Sequence, residues 1–411
     1  MKFRVPVVGL VLVLSILPSV SKAQDLTFPL AISTNQTSVQ ETNFYTLNID
    51  SLIVPNATTL ITAVSGSTVF IGDRPTRTIY RATIVGNTVT LIGVVPVPAP
   101  LEPGHPNNAL LDMVANSTNL YLAVADGAKA YPACGGARIY EYQLSNLQAK
   151  PRLIFKSTPC VDGDLFYDAR LAIRDGSVYI AGGNSLANNT DGTFPLADSQ
   201  DFVEGMPFPK TNYFGALSAI DIKTKKVTAV ATGLRHLGGL YWDAARKTMW
   251  ETENGPRGGD EVNIMLAGKN YGWPQVTLGR PYDSPTAPSG GIKINTVGKS
   301  QPPIYGWTPS ISPSTIRKVP AGGQFSKYWA GDLIVGSLKG NQLRRLRISA
   351  TNTVMYDEPI PVGDRIRTLD FLNDGRLLLT TDTGRLMLVS DSSILGTGRY
   401  PKDPAPPVIV K

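Results

Sequence analysis

One strand type returns six times along the chain, and nothing else in the sequence limits the fold as tightly. "STVFIGD", "NLYLAVADG", "GSVYIAGG", "KTMWETENG", "GDLIVGSLKG" and "GRLLLTTDTG" lie near residues 70, 121, 178, 249, 333 and 377. Each strings β-branched and aromatic residues between Gly, Asp and Asn, the composition of a short strand bounded by turns. Five of the six are followed by a turn and a further short strand, as in "RTIYRATIVG" and "GALSAIDIKTKK". Almost no segment carries a 3.6-residue apolar period, so the chain reads as all-β. A unit of three or four strands buries its faces only by stacking on its neighbours. Six such units predict one six-bladed β-propeller, spanning residues from about 30 to 395.

The units are unevenly spaced, about 45 to 85 residues apart, and the excess falls between 184 and 215 and between 255 and 325. Those stretches are expected to be long loops on one face of the disk, where propellers carry function. The Pro-rich tail "YPKDPAPPVIVK" reads as extended.

Residues 1–23 read as an export signal, with Lys2 and Arg4 ahead of the apolar run Val8 to Leu17 and a cleavage site at Ser21-Lys22-Ala23. That run is too short to span a bilayer and no second one follows, so a secreted, extracellular domain over residues 24–411 is expected. The net charge of +7 falls to +4 without the three cations of the signal, too mild and too evenly spread to argue for nucleic acid. Cys134 and Cys160 are the only cysteines, and in an oxidising compartment they most simply form one disulfide. Asn35, Asn56, Asn116 and Asn188 each open an N-glycosylation sequon in a turn-like stretch.

The densest chemistry lies in "ETENGPRGGDEVNIMLAGKNYGWP", residues 251–274. Gly255-Pro256 and Gly258-Gly259 force a loop directly after a strand, and such a loop can turn backbone carbonyls toward one point. Glu253, Asp260 and Glu261 add anionic oxygens nearby. Carbonyls and carboxylates without His or Cys suit calcium; a polar loop with solvated acids is the alternative.

"GLRHLGGLYWD", "ENGPRGGDEVNIMLAGKNYGWP", "GDLIVGSLKGNQLRRL" and "GDRIRTLDF" resemble consecutive motifs of the soluble quinoprotein glucose/sorbosone dehydrogenases. These are six-bladed propellers that use pyrroloquinoline quinone (PQQ) and calcium. The likeness is dense from about 230 to 275, moderate from 331 to 386 and faint before 225. It implies that the Gly255 and Pro256 carbonyls hold the calcium under PQQ, and that Glu261 and Tyr271 match a second, structural calcium site. It places Arg235 beside the reactive quinone carbonyl, and Lys339, Arg365 and Arg367 on the carboxylates of the cofactor. The last assignment also has a physical basis: a flat trianion needs fixed cations, and Arg-x-Arg on a strand points both guanidinium groups to one face.

The sequence departs from that family where a base is needed. The His-x-Gly-x-Arg-like segment aligns with "LFYDARLAIRDGSVYIAGG" through Arg170, which puts Phe166 at the histidine position. Asp168, Asp164 and His105 are the candidate substitutes, with Asp168 favoured because it shares the strand-face parity of the vacant position. His236, following Arg235, reads as a histidine stacked beside the cofactor or packed under the loop, or as a displaced functional group. Gly183-Asn184-Ser185 half-resembles a nucleophile elbow but has no helix after it, and no Walker or dinucleotide loop is present. The leading expectation is a PQQ- and calcium-dependent oxidoreductase acting on a sugar or polyol and passing electrons to an external acceptor. A non-catalytic propeller that binds carbohydrate or protein, and a calcium-dependent lactonase, are the alternatives.

Overall fold

The computed structural model describes residues 26–130, 133–158, 168–183, 213–273, 276–279 and 300–392. Cys160, Asp164, Phe166 and Asn188 lie outside the described residues, as do residues 1–25, so the Cys134–Cys160 pairing and the export signal remain expectations of the sequence.

Six antiparallel sheets surround one axis. Their innermost strands are Leu60–Ser65, Ala109–Ala115, Ala169–Arg174, Leu237–Asp243, Pro313–Lys318 and Ile366–Phe371, for blades 1 to 6 in turn. Each inner strand touches the inner strands of both neighbouring blades, and blade 6 meets blade 1. The recurring segment is the second strand of every blade: Thr68–Asp73, Asn119–Ala130, Ser177–Gly182, Thr248–Glu253, Leu333–Ser337 and Leu377–Thr381. Being flanked on both sides within the sheet and covered on both faces, most of these strands are largely apolar, while Thr248–Glu253 buries Glu251 and Glu253 instead.

The ring closes by a non-local pairing. Blade 6 takes Ile366–Phe371, Leu377–Thr381 and Arg385–Asp391 from the end of the chain and then Thr46–Ile53 from its beginning, with Val389 opposite Ile49 and Leu386 opposite Leu52. This seam leaves the ring without an open edge, the hazard that repeat sheets must remove. Strand Leu30–Ile32 then crosses to the outer edge of blade 1 and pairs with Thr88–Val95.

The core is divided among the six blade interfaces. Leu111, Tyr121, Leu171 and Ile180 pack between blades 2 and 3, Leu240 and Met249 meet Ala181 and Leu217 between blades 3 and 4, and Leu52, Leu60, Leu378 and Leu386 pack at the seam. The one helix among the described residues, Ser326–Trp329, is a single turn, and no described helix is long and apolar enough to cross a membrane.

Register puts the beginning of each inner strand beside the end of the second strand: Ala169 opposite Gly182, Leu237 opposite Glu253, Ile366 opposite Thr381. The loops at these ends share one rim of the central channel. Asp168, Arg235, His236, Gly255, Lys339, Arg365 and Asp382 all lie there.

Candidate active site at the axial mouth

Asp168 directly precedes the inner strand of blade 3 and is buried. Its Oδ1 accepts the Gly183 N–H at 2.7 Å, and its Oδ2 lies 2.9 Å from His236 Nδ1. Gly183 is required by the close approach: a Cβ there would fall 2.6 and 2.8 Å from the two carboxylate oxygens. Burial alone would raise the Asp168 pKa, but the charge and hydrogen bond of His236, the Gly183 N–H and Arg170 outweigh it and hold the carboxyl below its usual value. The carboxylate, taken from the sequence as the substitute base, thus faces Gly183 with one oxygen and His236 with the other. The His236 imidazole thus meets the Asp168 carboxylate through Nδ1.

His105 precedes the inner strand of blade 2, whose first residue Ala109 pairs with Ala125, and so stands on the same rim. It is buried against Gly127, where a Cβ would come within 1.8 Å of its Nδ1, and that nitrogen accepts the Asn107 N–H at 3.2 Å.

Arg235 is buried and donates from Nη1 to the carbonyls of Asn254 at 2.6 Å and Gly255 at 2.9 Å, with its guanidinium 5.0 Å from the Trp273 ring centre. Gly255 sits in a loop too tight for a side chain, since a Cβ would lie 2.4 Å from both the Gly258 and Gly259 carbonyl oxygens. Asp260 shapes this loop. It accepts N–H bonds from Gly255 at 3.0 Å, Ile311 at 2.7 Å and Ser312 at 2.6 Å, and its oxygens are therefore committed to backbone, not to a cation.

Behind the loop, Glu251 and Glu253 alternate on one face of their strand, opposite Asn263 and Glu261. Glu251 Oε1, Glu253 Oε2 and Asn263 Oδ1 are buried without a hydrogen-bond partner. Burial raises Glu251 and Glu253 well above the carboxylate range, and the neighbouring carboxylates add to it: Glu253 for Glu251, Glu261 for Glu253. Burial pushes Glu261 up to about 7. Unpaired oxygens in a dry site are costly, and a bound cation removes that cost. The donor set, all oxygen, therefore fits calcium. Among the described residues no three His, Cys, Asp or Glu side chains are arranged as a metal cage, so a calcium here has to draw on carbonyls such as those of Gly255 and Pro256. The Tyr271 hydroxyl is engaged, donating to Ile264 O and accepting the Leu266 N–H at 2.8 Å.

The opposite side of the mouth is cationic. Arg367 binds both oxygens of Asp382 at 2.7 Å, and Arg365 donates to the same carboxylate at 3.1 Å and to Leu338 O at 3.2 Å, which brings it beside the exposed Lys339. One carboxylate thus serves two guanidinium groups. Sequence reasoning missed Arg74, which follows the second strand of blade 1 and donates to Leu110 O at 2.9 Å. Burial, then Arg367 and Arg170, lower its pKa to about 9 against the pull of Asp382 and Asp168. Arg74, Arg367, Arg170, Asp382 and Asp168 thus lie near enough to act on one another electrostatically. Its position after a second strand, equivalent to that of Asp382 and Lys339, is the signal that could have found it. Beneath them Arg170 reaches across the axis, donating to carbonyls of Ala169 at 2.9 Å, Leu111 at 3.3 Å and Ser314 at 3.3 Å and also to Gly238 O, so it ties four blades together.

The profile of the Glucose / Sorbosone dehydrogenase family matches residues 66–389. The chain belongs to this family. It is 29% identical to the aldose sugar dehydrogenase of Escherichia coli (strain K12) over 302 residues, which is 70% of this chain and 78% of that protein. It is 35% identical over 156 residues to an uncharacterized protein of Synechocystis, 36% of this chain and 35% of that one. Among solved structures it is similar to the soluble aldose sugar dehydrogenase from Escherichia coli in the apo-form, with a TM-score of 0.66 at 22% identity, covering 84% of this chain and 99% of that one. The PQQ-bound aldose sugar dehydrogenase from Streptomyces coelicolor gives a TM-score of 0.58 at 17% identity, covering 88% and 98%. These glucose/sorbosone dehydrogenase structures share the six-bladed fold described above.

Proposed function

We propose that the protein is a secreted, PQQ- and calcium-dependent oxidoreductase that oxidises a hydroxyl of a sugar or polyol and passes the electrons to an external acceptor. The observation that carries this reading is the cationic mouth, in which Arg74, Arg365 and Arg367 outnumber Asp382 and leave net positive charge for an anion. A tricarboxylate of the PQQ kind matches that surplus, with Lys339, Arg365 and Arg367 on its carboxylates. When bound, PQQ supplies an electrophilic quinone that accepts hydride. Arg235 contributes a fixed positive charge against which negative charge on an oxygen can develop. The Gly255 carbonyl, with two lone pairs and one taken by Arg235, keeps one for calcium.

Export with glycans on Asn35 and Asn56 belongs to this reading, and both side chains are exposed. Asn116 Oδ1 already accepts the Thr118 and Asn119 N–H groups, which makes it the poorer acceptor site. The Cys134–Cys160 disulfide is part of the same expectation.

Calorimetric titration of the purified protein with PQQ, with and without calcium, tests the binding half of the proposal. Stoichiometric, calcium-dependent binding supports it, and heat indistinguishable from dilution removes it. Phe166 at the usual histidine position favours a second reading, a propeller that binds PQQ or carbohydrate without turnover.

A further inference from the structure

Phe166, at the usual histidine position in the sequence, cannot accept a proton, and the axial mouth carries an acid–imidazole pair from the beginnings of blades 3 and 4. The carboxylate of Asp168 is fixed by the Gly183 N–H on one oxygen and meets His236 Nδ1 on the other, at 2.7 and 2.9 Å. The backbone of His236 is clamped as well: its carbonyl accepts the Asn254 N–H at 2.8 Å, and the preceding Arg235 N–H donates to Glu253 Oε1 at 2.8 Å. The Asp168 side chain is 9% exposed and the imidazole 30%, so the orienting acid is buried while the ring reaches the mouth. Asp168 Oδ2 is buried with no other hydrogen-bond partner and lies 2.9 Å from His236 Nδ1, so a proton on that nitrogen is what satisfies it, and Nε2 is then the basic nitrogen.

We infer that His236 is the catalytic base of this protein and that Asp168 is its positioning residue, a pair that replaces the histidine missing at Phe166. The inference rests on the dehydrogenase reading proposed above. In the step assigned here the substrate O–H bond breaks and its proton goes to His236 Nε2, while the adjacent C–H bond breaks and its electron pair leaves as hydride. A C=O bond forms on the substrate, and an ortho-quinone takes the hydride and is reduced by two electrons. His105 is unsuited to this role because its Nδ1 accepts an amide N–H and its ring is buried against Gly127.

The chain has two histidines, so histidine-selective 15N labelling gives two imidazole spin systems, and the one lost in His236→Gln is assigned directly. At a pH where the ring is neutral, wild type is expected to show His236 as the Nδ1–H tautomer. In Asp168→Asn the amide oxygen is claimed by Gly183 N–H, which turns the amide NH2 toward Nδ1 and drives the ring to the Nε2–H tautomer. Turnover in His236→Gln is expected to fall roughly 10²- to 10⁴-fold in kcat, with PQQ affinity kept within about threefold. An Nε2–H tautomer in wild type, or wild-type kcat in His236→Gln, overturns the assignment alone. A wild-type protein that binds PQQ but turns over no sugar overturns it together with the dehydrogenase reading.

Discussion

The Asp168 carboxylate and the His236 imidazole, contributed by the beginnings of two adjacent blades, lie 2.9 Å apart at the axial mouth. Their contact depends on the absence of a side chain at Gly183. Gly183→Ala is therefore expected to push Asp168 off His236 and lower kcat by about 10- to 100-fold, a fraction of what a positioned base contributes. Steady-state kinetics together with the His236 15N shifts check this, and an unshifted tautomer with full activity would refute it.

Calcium should stabilise the protein by occupying a site that is otherwise strained by buried, unpaired oxygens. Ligands that bind only the folded state stabilise it by RT ln(1 + L/Kd), with L the free ligand concentration, and so raise its melting temperature as L exceeds Kd. Differential scanning fluorimetry is expected to show a rise with calcium and a fall with EDTA. No change with either would mean that the Gly255–Glu261 region holds no metal.

The pH dependence of the metal-free protein follows from the same acids. Glu261, raised to about 7 from an ordinary value of 4.5, binds its proton more tightly in the folded than in the unfolded chain. The folded state is thus favoured below the unfolded pKa and loses that advantage as pH rises through the folded one. For Glu261 this amounts to about 3 kcal/mol lost between pH 4.5 and 7, with Glu251 and Glu253 acting in the same direction. Denaturation at several pH values in EDTA checks the sign, and calcium should flatten the profile.

Arg367 holds Asp382 through both oxygens and shares it with Arg365. Removing it with Arg367→Ala deletes one of the cations expected to meet a carboxylate of PQQ. The Kd for PQQ should rise at least tenfold, read by titration, since charge-assisted bonds of this kind contribute about 1.5 to 3 kcal/mol.

Ring closure is tested at Leu52, fully buried at the seam opposite Leu386. Leu52→Ala should cost about 2 to 5 kcal/mol, whereas Val39→Ala, on the exposed outer strand of the same blade, should stay within about 0.5. Chemical denaturation of the two variants compares them.

Most of the second strands were legible because burial on both faces makes them apolar runs, and Thr248–Glu253 was legible from its Met-Trp pair and the Asn-Gly turn after it. Thr46–Ile53 was not, since "TLNIDSLI" alternates with polar residues and owes its place to a partner at the far end of the chain. The loop after Glu253 was readable from its glycines, but the commitment of Asp260 to backbone N–H groups near residue 311 needed the fold. Strand parity singled out Asp168, and parity says nothing of what lies opposite on another blade. Only the ring brings His236 to it, and on the inference drawn above that contact makes Asp168 the orienting acid.

The central claim is tested most directly by reconstituting the purified protein with PQQ and calcium and following dye reduction over a panel of sugars and polyols. The account predicts saturable, substrate-dependent reduction that requires both additions and collapses in His236→Gln. Saturating PQQ binding with no dye reduction on any sugar or polyol would contradict it.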